Sequence, residues 1–534
     1  MIRRTVQTLS LLAFLGLLAA AILTTADATP FTFMLGLDPA LSLPTALGAG
    51  AFVLAFLPAV ALLAIGPLIG RGFCGWVCPM GTTIDALDAV AGTKERRRPD
   101  GGARRIKYAV LGVLLGAALL GLSLVHFGSP MALMTRLYGL LLYPLLAAVA
   151  DGGLMLLRPL AGMIDLNIVA FATVRTPSFD TTLFLLVFVG GLVAAAFAAP
   201  RLWCRFLCPA GALLALTAWR PLIRRRVDRR CGSCALCADV CPVGAIDAGN
   251  FRLTRHEECL LCRTCQDICP KSSVTFFTGD DEAEGGSPAF VEARRQLLLG
   301  GLAGAGAAAL GLPGLAAMPS PLTEGPVRPP GAVPEADFLA RCVRCGACVA
   351  ACPTNALQPL YVATGLNGVF APGLVPAGGL CDPHCARCGE VCPTGAIREL
   401  AGEERLWAKT GTAEIEPERC IAWADGERCM VCDEVCPFDA VVFRLEAGRP
   451  VAVPHVEAAR CTGCGACENA CPVKRPGAIR VTPRDALRLA AGSYVAAGRR
   501  LGLDIALETR RPADAGGAPG FEGTAPGFDG PPAR

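Results

Sequence analysis

The chain runs to 534 residues, of which 53% are hydrophobic and only 18% charged, with a mean hydropathy of +0.49 and a formal net charge of +4. At ~150 residues per domain that length allows about three domains, and the hydropathy describes a chain partly dissolved in lipid. From residue 331 onward acidic side chains slightly outnumber basic ones, which excludes the basic footprint of a nucleic-acid binder. No G-x-G-x-x-G opens a βαβ unit that would cradle a nucleotide or flavin.

In chain order, apolar runs near 6–26, 48–70, 107–127 and 181–200 have the ~20 residues that a bilayer span requires, so residues 1–220 are predicted to form an α-helical membrane bundle of four spans. Basic loops stay in the cytoplasm. Arg3 and Arg4 put the N-terminus inside, and the loop at 27–47, which lacks Lys and Arg, belongs outside. Lys94, Arg96, Arg97, Arg98, Arg104, Arg105 and Lys107 return the next loop to the cytoplasm, and the Arg-rich segment from Arg201 to Arg230 is inside as well. Parity then makes the Leu-rich stretch at 131–157, interrupted by Arg136, Pro144 and Asp151, a re-entrant or surface-lying helix on the outer side, an ordinary extra span being the alternative.

Residues 221–280 read as a cytoplasmic α+β ferredoxin domain. Within 290–334, Ala293-Arg294-Arg295-Gln296-Leu297-Leu298 precedes a Gly- and Ala-rich run at 297–318 and resembles a twin-arginine export signal, with Ala for the usual Ser or Thr and Leu297 for the usual Phe. Twin-arginine export carries folded cargo, which suits clusters assembled in a reducing cytoplasm. This run is a fifth, signal-anchor helix in prospect, and Pro-rich 319–334 behind it reads as a stiff linker. Residues 335–505 are then a periplasmic four-cluster domain with a closing helix at 484–502, and 506–534, dominated by Pro, Gly and Ala, a disordered tail. The predicted location is a bacterial inner membrane, crossed several times.

The cysteines carry the chemistry. Cys231, Cys234, Cys237, Cys241 and Cys259, Cys262, Cys265, Cys269 both read C-x2-C-x2-C-x3-C-P, as do Cys342, Cys345, Cys348, Cys352 and Cys461, Cys464, Cys467, Cys471. Two blocks between them are looser: Cys381, Cys385, Cys388, Cys392 begins C-x3-C, and Cys420, Cys429, Cys432, Cys436 begins C-x8-C. This is the spacing by which bacterial ferredoxins hold [4Fe-4S] clusters, the fourth cysteine serving a neighbouring cluster. Blocks should therefore work in pairs, and 24 thiolates give six clusters. Structural zinc prefers two separated C-x2-C knuckles, and a disulfide framework does not repeat a metal-type spacing six times.

The remaining four cysteines form two Cys-x3-Cys-Pro pairs, Cys74 with Cys78 and Cys204 with Cys208, each directly behind an apolar run. An x3 spacing sets two thiols on one face of a helical turn, so the four are predicted to converge on one redox or metal site at the membrane surface, flanked by the interfacial residues Trp76 and Trp203. A cluster, a copper or heme contact, or a thiol role beside a quinol pocket are all compatible.

With these motifs in hand, residues 1 to about 280 resemble the NapH and MauN type of membrane ferredoxin, and residues 290 to about 500 resemble the NapG and MauM type of exported polyferredoxin, here fused into one chain. The resemblance implies quinol dehydrogenase work, in which electrons leave membrane quinol or menaquinol and pass through clusters to a periplasmic reductase or dehydrogenase system. Quinol oxidation needs proton acceptors, and His126, Asp85 and Asp88 are the candidates. Two other readings compete: export of electrons from a cytoplasmic donor without quinol, and a maturation role in which a membrane ferredoxin reduces a metal for oxidase or copper-enzyme assembly.

Overall fold

A computed structural model of the chain describes residues 2–24, 27–50, 54–92, 101–163, 171–218, 221–232, 234–247, 249–278, 288–311, 325–361, 365–473 and 477–506. The long helices are α1 (Ile2–Leu23), α2 (Leu57–Ile69), α3 (Ile106–Leu119), α4 (Pro130–Met163), α5 (Thr182–Ala198) and α6 (Pro288–Ala309). Among the described residues, α1 and α4 are long and apolar enough to cross a membrane, whereas Leu54–Ile69 and Thr182–Ala198 are shorter apolar helices. The runs expected at 48–70 and 107–127 are thus cut short. The first starts late because the preceding helix ends at Gly50, φ 58°, and past α3 the chain turns at Gly121, φ 78°, conformations that only glycine adopts without cost. Short helices at Thr29–Gly36 and Pro39–Ala49 fill the connection predicted to be an outer loop.

The stretch at 131–157 departs from the sequence reading. It belongs to one unbroken helix of 34 residues, α4, with a π-helical segment at Leu137–Leu142. Arg136 does not interrupt it, because its guanidinium folds back onto the carbonyls of Ala132 and His126. Pro144 falls two residues past the π segment, where the backbone ladder is already offset. By 178–180 the chain has reached the later ferredoxin unit: the Ser178 carbonyl accepts from Asn355 and Gln358, and that of Asp180 from Tyr361.

Helix α6 lies along α3 with backbones nearly in contact. A methyl group on Gly112 or Gly116 would collide with the backbone of Leu297 and Gly301, and one on Gly300 or Gly304 with that of Ala109 and Val113. Both helices therefore present a Gly-x3-Gly face, the small-residue seam by which helices approach closely in a lipid phase. The Gly-rich run behind the twin arginines is thus a packed helix.

The ferredoxin units are small α+β assemblies around cysteine loops. Strand β1 (Ile223–Val227) pairs with β2 (Val274–Thr278) in the first. In the second, β3 (Leu357–Pro359) pairs with β4 (Pro372–Leu374), β5 (Thr412–Ile415) with β8 (Ile479–Thr482), and β6 (Val441–Arg444) with β7 (Val453–Val456), all antiparallel. The supposed linker joins this unit early. Val327 and Arg328 are buried, and Arg328 pairs with Glu335 and donates to the Pro372 carbonyl. The closing helix is confined to Tyr494–Arg500, capped by Ser493; the segment before it is irregular, with Asp485 at φ 58°. The predicted tail lies outside the described residues beyond 506.

The two units touch opposite ends of α1, which at 22 residues is about 33 Å long. Near its start, Arg3 lies beside Cys262 and donates to the Gly75 carbonyl. At its finish, Arg387 of the second unit donates to the carbonyls of Ala21 and Thr24.

Candidate iron-sulfur centres and the four-thiol cavity

All 24 block cysteines gather into six groups of four, and in each group the Cys-Pro cysteine comes from the neighbouring block. Cys231, Cys234 and Cys237 line one cavity with Cys269, and Cys241 stands with Cys259, Cys262 and Cys265. Downstream, Cys392 joins Cys342, Cys345 and Cys348, and Cys352 joins Cys381, Cys385 and Cys388. Cys471 joins Cys420, Cys429 and Cys432, and Cys436 joins Cys461, Cys464 and Cys467. Exchange is thus neighbour with neighbour, and the two irregular blocks deliver three thiols as the regular ones do.

The local backbone explains the strict inner spacing. In the regular blocks the residue after the second cysteine is left-handed: Ala235, Arg263, Gly346 and Gly465 have φ of 63°, 60°, 81° and 79°. Each reverses the chain just before the short helix that carries the third thiol. In the irregular blocks Ala386 and Met430 occupy the corresponding place at φ −112° and −122°, so these two loops reach the third thiol without a left-handed residue there. The Cys-Pro sulfurs accept backbone N–H bonds, Ala245 to Cys241 at 3.2 Å, Ser273 to Cys269 at 3.3 Å and Ala440 to Cys436 at 3.3 Å. Such bonds help to set cluster potential. Burial pushes the free thiols of Cys259, Cys345 and Cys464 up to about 12, so a metal must displace their protons.

Cys74, Cys78, Cys204 and Cys208 do converge. They line one cavity of about 390 Å³ with Asp38, Arg71, Met80 and Met131, and all four are buried. Cys78 and Cys208 each cap a helix that begins with proline, Pro79–Ala91 and Pro209–Thr217. What the sequence reading missed is that the repeat is longer, Arg-x2-Cys-x3-Cys-Pro-x-Gly, from Arg71 to Gly81 and from Arg201 to Gly211. The arginines cross over: Arg71 donates to the Cys204 carbonyl at 2.9 Å, and Arg201 to the Cys74 carbonyl at 3.1 Å. The glycines make room, since a Cβ at Gly211 would stand 2.5 Å from the Arg71 guanidinium and one at Gly81 2.5 Å from the Cys74 carbonyl.

The other candidates separate. Asp85 pairs with Arg3 and Arg201, and Asp88 accepts from the Arg201 backbone, so both carboxylates position the arginine beside the thiols. His126 lies buried elsewhere, beside Phe127 and Phe370, with its carbonyl taking the Arg136 guanidinium.

Models of a 4Fe-4S binding domain match residues 51–98, 181–230, 256–277, 339–358 and 388–409, and a model of a 4Fe-4S dicluster domain matches 426–475. The methylamine utilization ferredoxin-type protein MauM of Paracoccus denitrificans is 40% identical over 203 residues, 36% of this chain and 88% of MauM. The ferredoxin-type protein NapG of Escherichia coli is 38% identical over 205 residues, 36% of this chain and 83% of NapG. The chain belongs to the MauM/NapG family of ferredoxin-type proteins. NapF of Escherichia coli is a further relative, 31% identical over 147 residues, 28% of this chain and 80% of NapF. As a MauM/NapG-type ferredoxin this is an iron–sulfur electron-transfer protein, and its thiol groups fit the cofactor. Three cavities of the second unit enclose about 340, 390 and 320 Å³, each with four cysteines on its wall.

Proposed function

We propose that the protein is a multi-pass inner-membrane electron conduit, a NapH/MauN-type membrane part fused to a NapG/MauM-type part. Six [4Fe-4S] clusters carry electrons from membrane quinol or menaquinol to a periplasmic reductase or dehydrogenase. When bound, the clusters supply one-electron transfer at potentials tuned by hydrogen bonds and solvent exposure. The chain's own work is to set them in line, and the observation that carries the reading is that its two ferredoxin units sit at opposite ends of the same helix, α1.

Within the second unit the order follows from contacts. The Cys342 group rests on α4, where Gly346 meets Leu140 and Arg136. The Cys381 group is tied to the Cys461 group by the Cys381 N–H bond to the Cys464 carbonyl at 2.8 Å. The Cys420 group then ends the line, next to the partner. His126, buried near Arg344 of the Cys342 loop, is the proton acceptor we assign to quinol oxidation, and α6 with its twin arginines anchors the exported part.

Reduction by a menaquinol analogue in anaerobic membranes, followed by EPR, tests the reading; loss of that reduction in His126→Phe with iron content unchanged is expected. Failure with menaquinol and success with a cytoplasmic reductant would favour the second reading, which exposed Cys234 in the first unit supports by offering a soluble donor an open entry. A reporter fused after residue 506 should read the outer side, and copper-dependent loss of function on changing Cys74 or Cys204 would point to a maturation role instead.

A further inference from the structure

We propose that Cys74, Cys78, Cys204 and Cys208 together ligate a seventh [4Fe-4S] cluster, held within the helical layer between the two ferredoxin units. Each of the two binding-domain matches over this region contains one Cys-x3-Cys-Pro pair and so half a ligand set. The fold joins the halves. The resulting cavity has all four thiols on its wall, as the four-cysteine cavities of the two ferredoxin units do.

The arrangement selects a cluster over a single ion. Among the described residues, no three His, Cys, Asp or Glu side chains come close enough to grip one metal ion, here or in the six ferredoxin groups. Zinc would draw four thiolates to about 2.3 Å from one centre, whereas a cube holds its thiolates apart at four corners. The Cys208 sulfur accepts the Gly211 N–H at 3.3 Å, the same kind of bond that the Cys-Pro sulfurs of the ferredoxin groups accept. Arg71 and Arg201, both 0% exposed, hold the two halves together by donating to the carbonyls of Cys204 and Cys74, while their charges are paired with Glu258 and Asp85.

Its place in the molecule gives the site a role. On one side, the Leu260 carbonyl of the Cys259–Cys262 loop presses within 2.7 Å of where a Cβ on Gly75 would stand, and Trp76 donates to the Leu261 carbonyl. On the other, a single apolar cluster runs from Cys74, Cys78 and Cys204 through Met131 and Met134 to Val343 and Cys345. A cube here would accept one electron from a reduced cluster in one unit and pass one to an oxidised cluster in the other, with no bond or proton changing hands.

The proposal deepens the conduit reading, but its test depends on neither quinol nor sidedness. Full-length protein purified anaerobically should carry about 28 irons, four for each of seven cubes, against about 24 for six. Cys74→Ser with Cys204→Ser should lose about four irons and the matching acid-labile sulfide while the other EPR signals persist. The wild-type count decides the matter even if that variant fails to fold. About 24 irons in the wild type, or one zinc or copper lost with the two cysteines, would overturn the proposal.

Discussion

The two ferredoxin units are built alike but fastened to the helices differently. The first is held by buried ion pairs: Glu258 takes both Arg71 and Lys107, all three side chains almost fully enclosed, while Arg104 donates to the carbonyls of Val243 and Gly244. The second is held by side-chain donors on backbone carbonyls. Arg344 reaches Ser123, Asn355 and Gln358 reach Ser178, Tyr361 reaches Asp180, and Arg387 reaches Ala21. A buried charge pair concentrates its energy in one place, since removing one partner strands the other. Carbonyl contacts spread theirs over many bonds, each worth little by itself.

That contrast sets the order of expected effects. Glu258→Gln should be the most damaging docking change, about 3–5 kcal/mol, because it leaves two buried cations short of their carboxylate. Protease protection of residues 221–278 should fall while the second unit stays protected. Burial raises the Glu258 carboxyl, but Lys107, Arg71 and Arg104 outweigh it and hold the group at about 2. Its contribution is therefore complete above its ordinary value of 4.5 and disappears only as pH falls through about 2. Protection factors in the docked loop, corrected for the intrinsic pH dependence of exchange, should stay flat across pH 5–7, and a midpoint inside that range would contradict the pairing.

Arg344→Met removes the bonds to Ser123 and Asn367 and should cost about 1.5–3 kcal/mol, read as faster exchange at 123–127 with the iron content unchanged. Gly112→Leu should cost about 1–3 kcal/mol by forcing α3 and α6 apart, visible as a lower melting temperature in detergent. Smallest, Tyr361→Phe should cost about 0.5–1.5 kcal/mol. Were it to match Glu258→Gln, the docking of the second unit would be as concentrated as that of the first.

The cysteine blocks were legible because their rules are local: three thiols within one loop and a proline behind. Which block lends its last thiol to which was not, since Cys392 meets Cys345 only through tertiary packing. The convergence of Cys74 and Cys204 followed from repetition, yet the same repetition held Arg71, Gly81, Arg201 and Gly211, and these went unread because arginines and glycines are too common to stand out singly. Helix lengths failed for a different reason. Hydropathy does not register that Gly121 turns the chain after α3, nor that Arg136 satisfies itself against neighbouring carbonyls and lets α4 continue.

Since every Cys-Pro thiol serves the adjacent block, no motif can be filled by itself. As the chain is synthesised, the loop of Cys342, Cys345 and Cys348 has three corners until Cys392 has been made, and that of Cys420, Cys429 and Cys432 waits in the same way for Cys471. Iron insertion is thereby tied to completion of each pair, and a truncation between partners leaves neither centre of that pair complete.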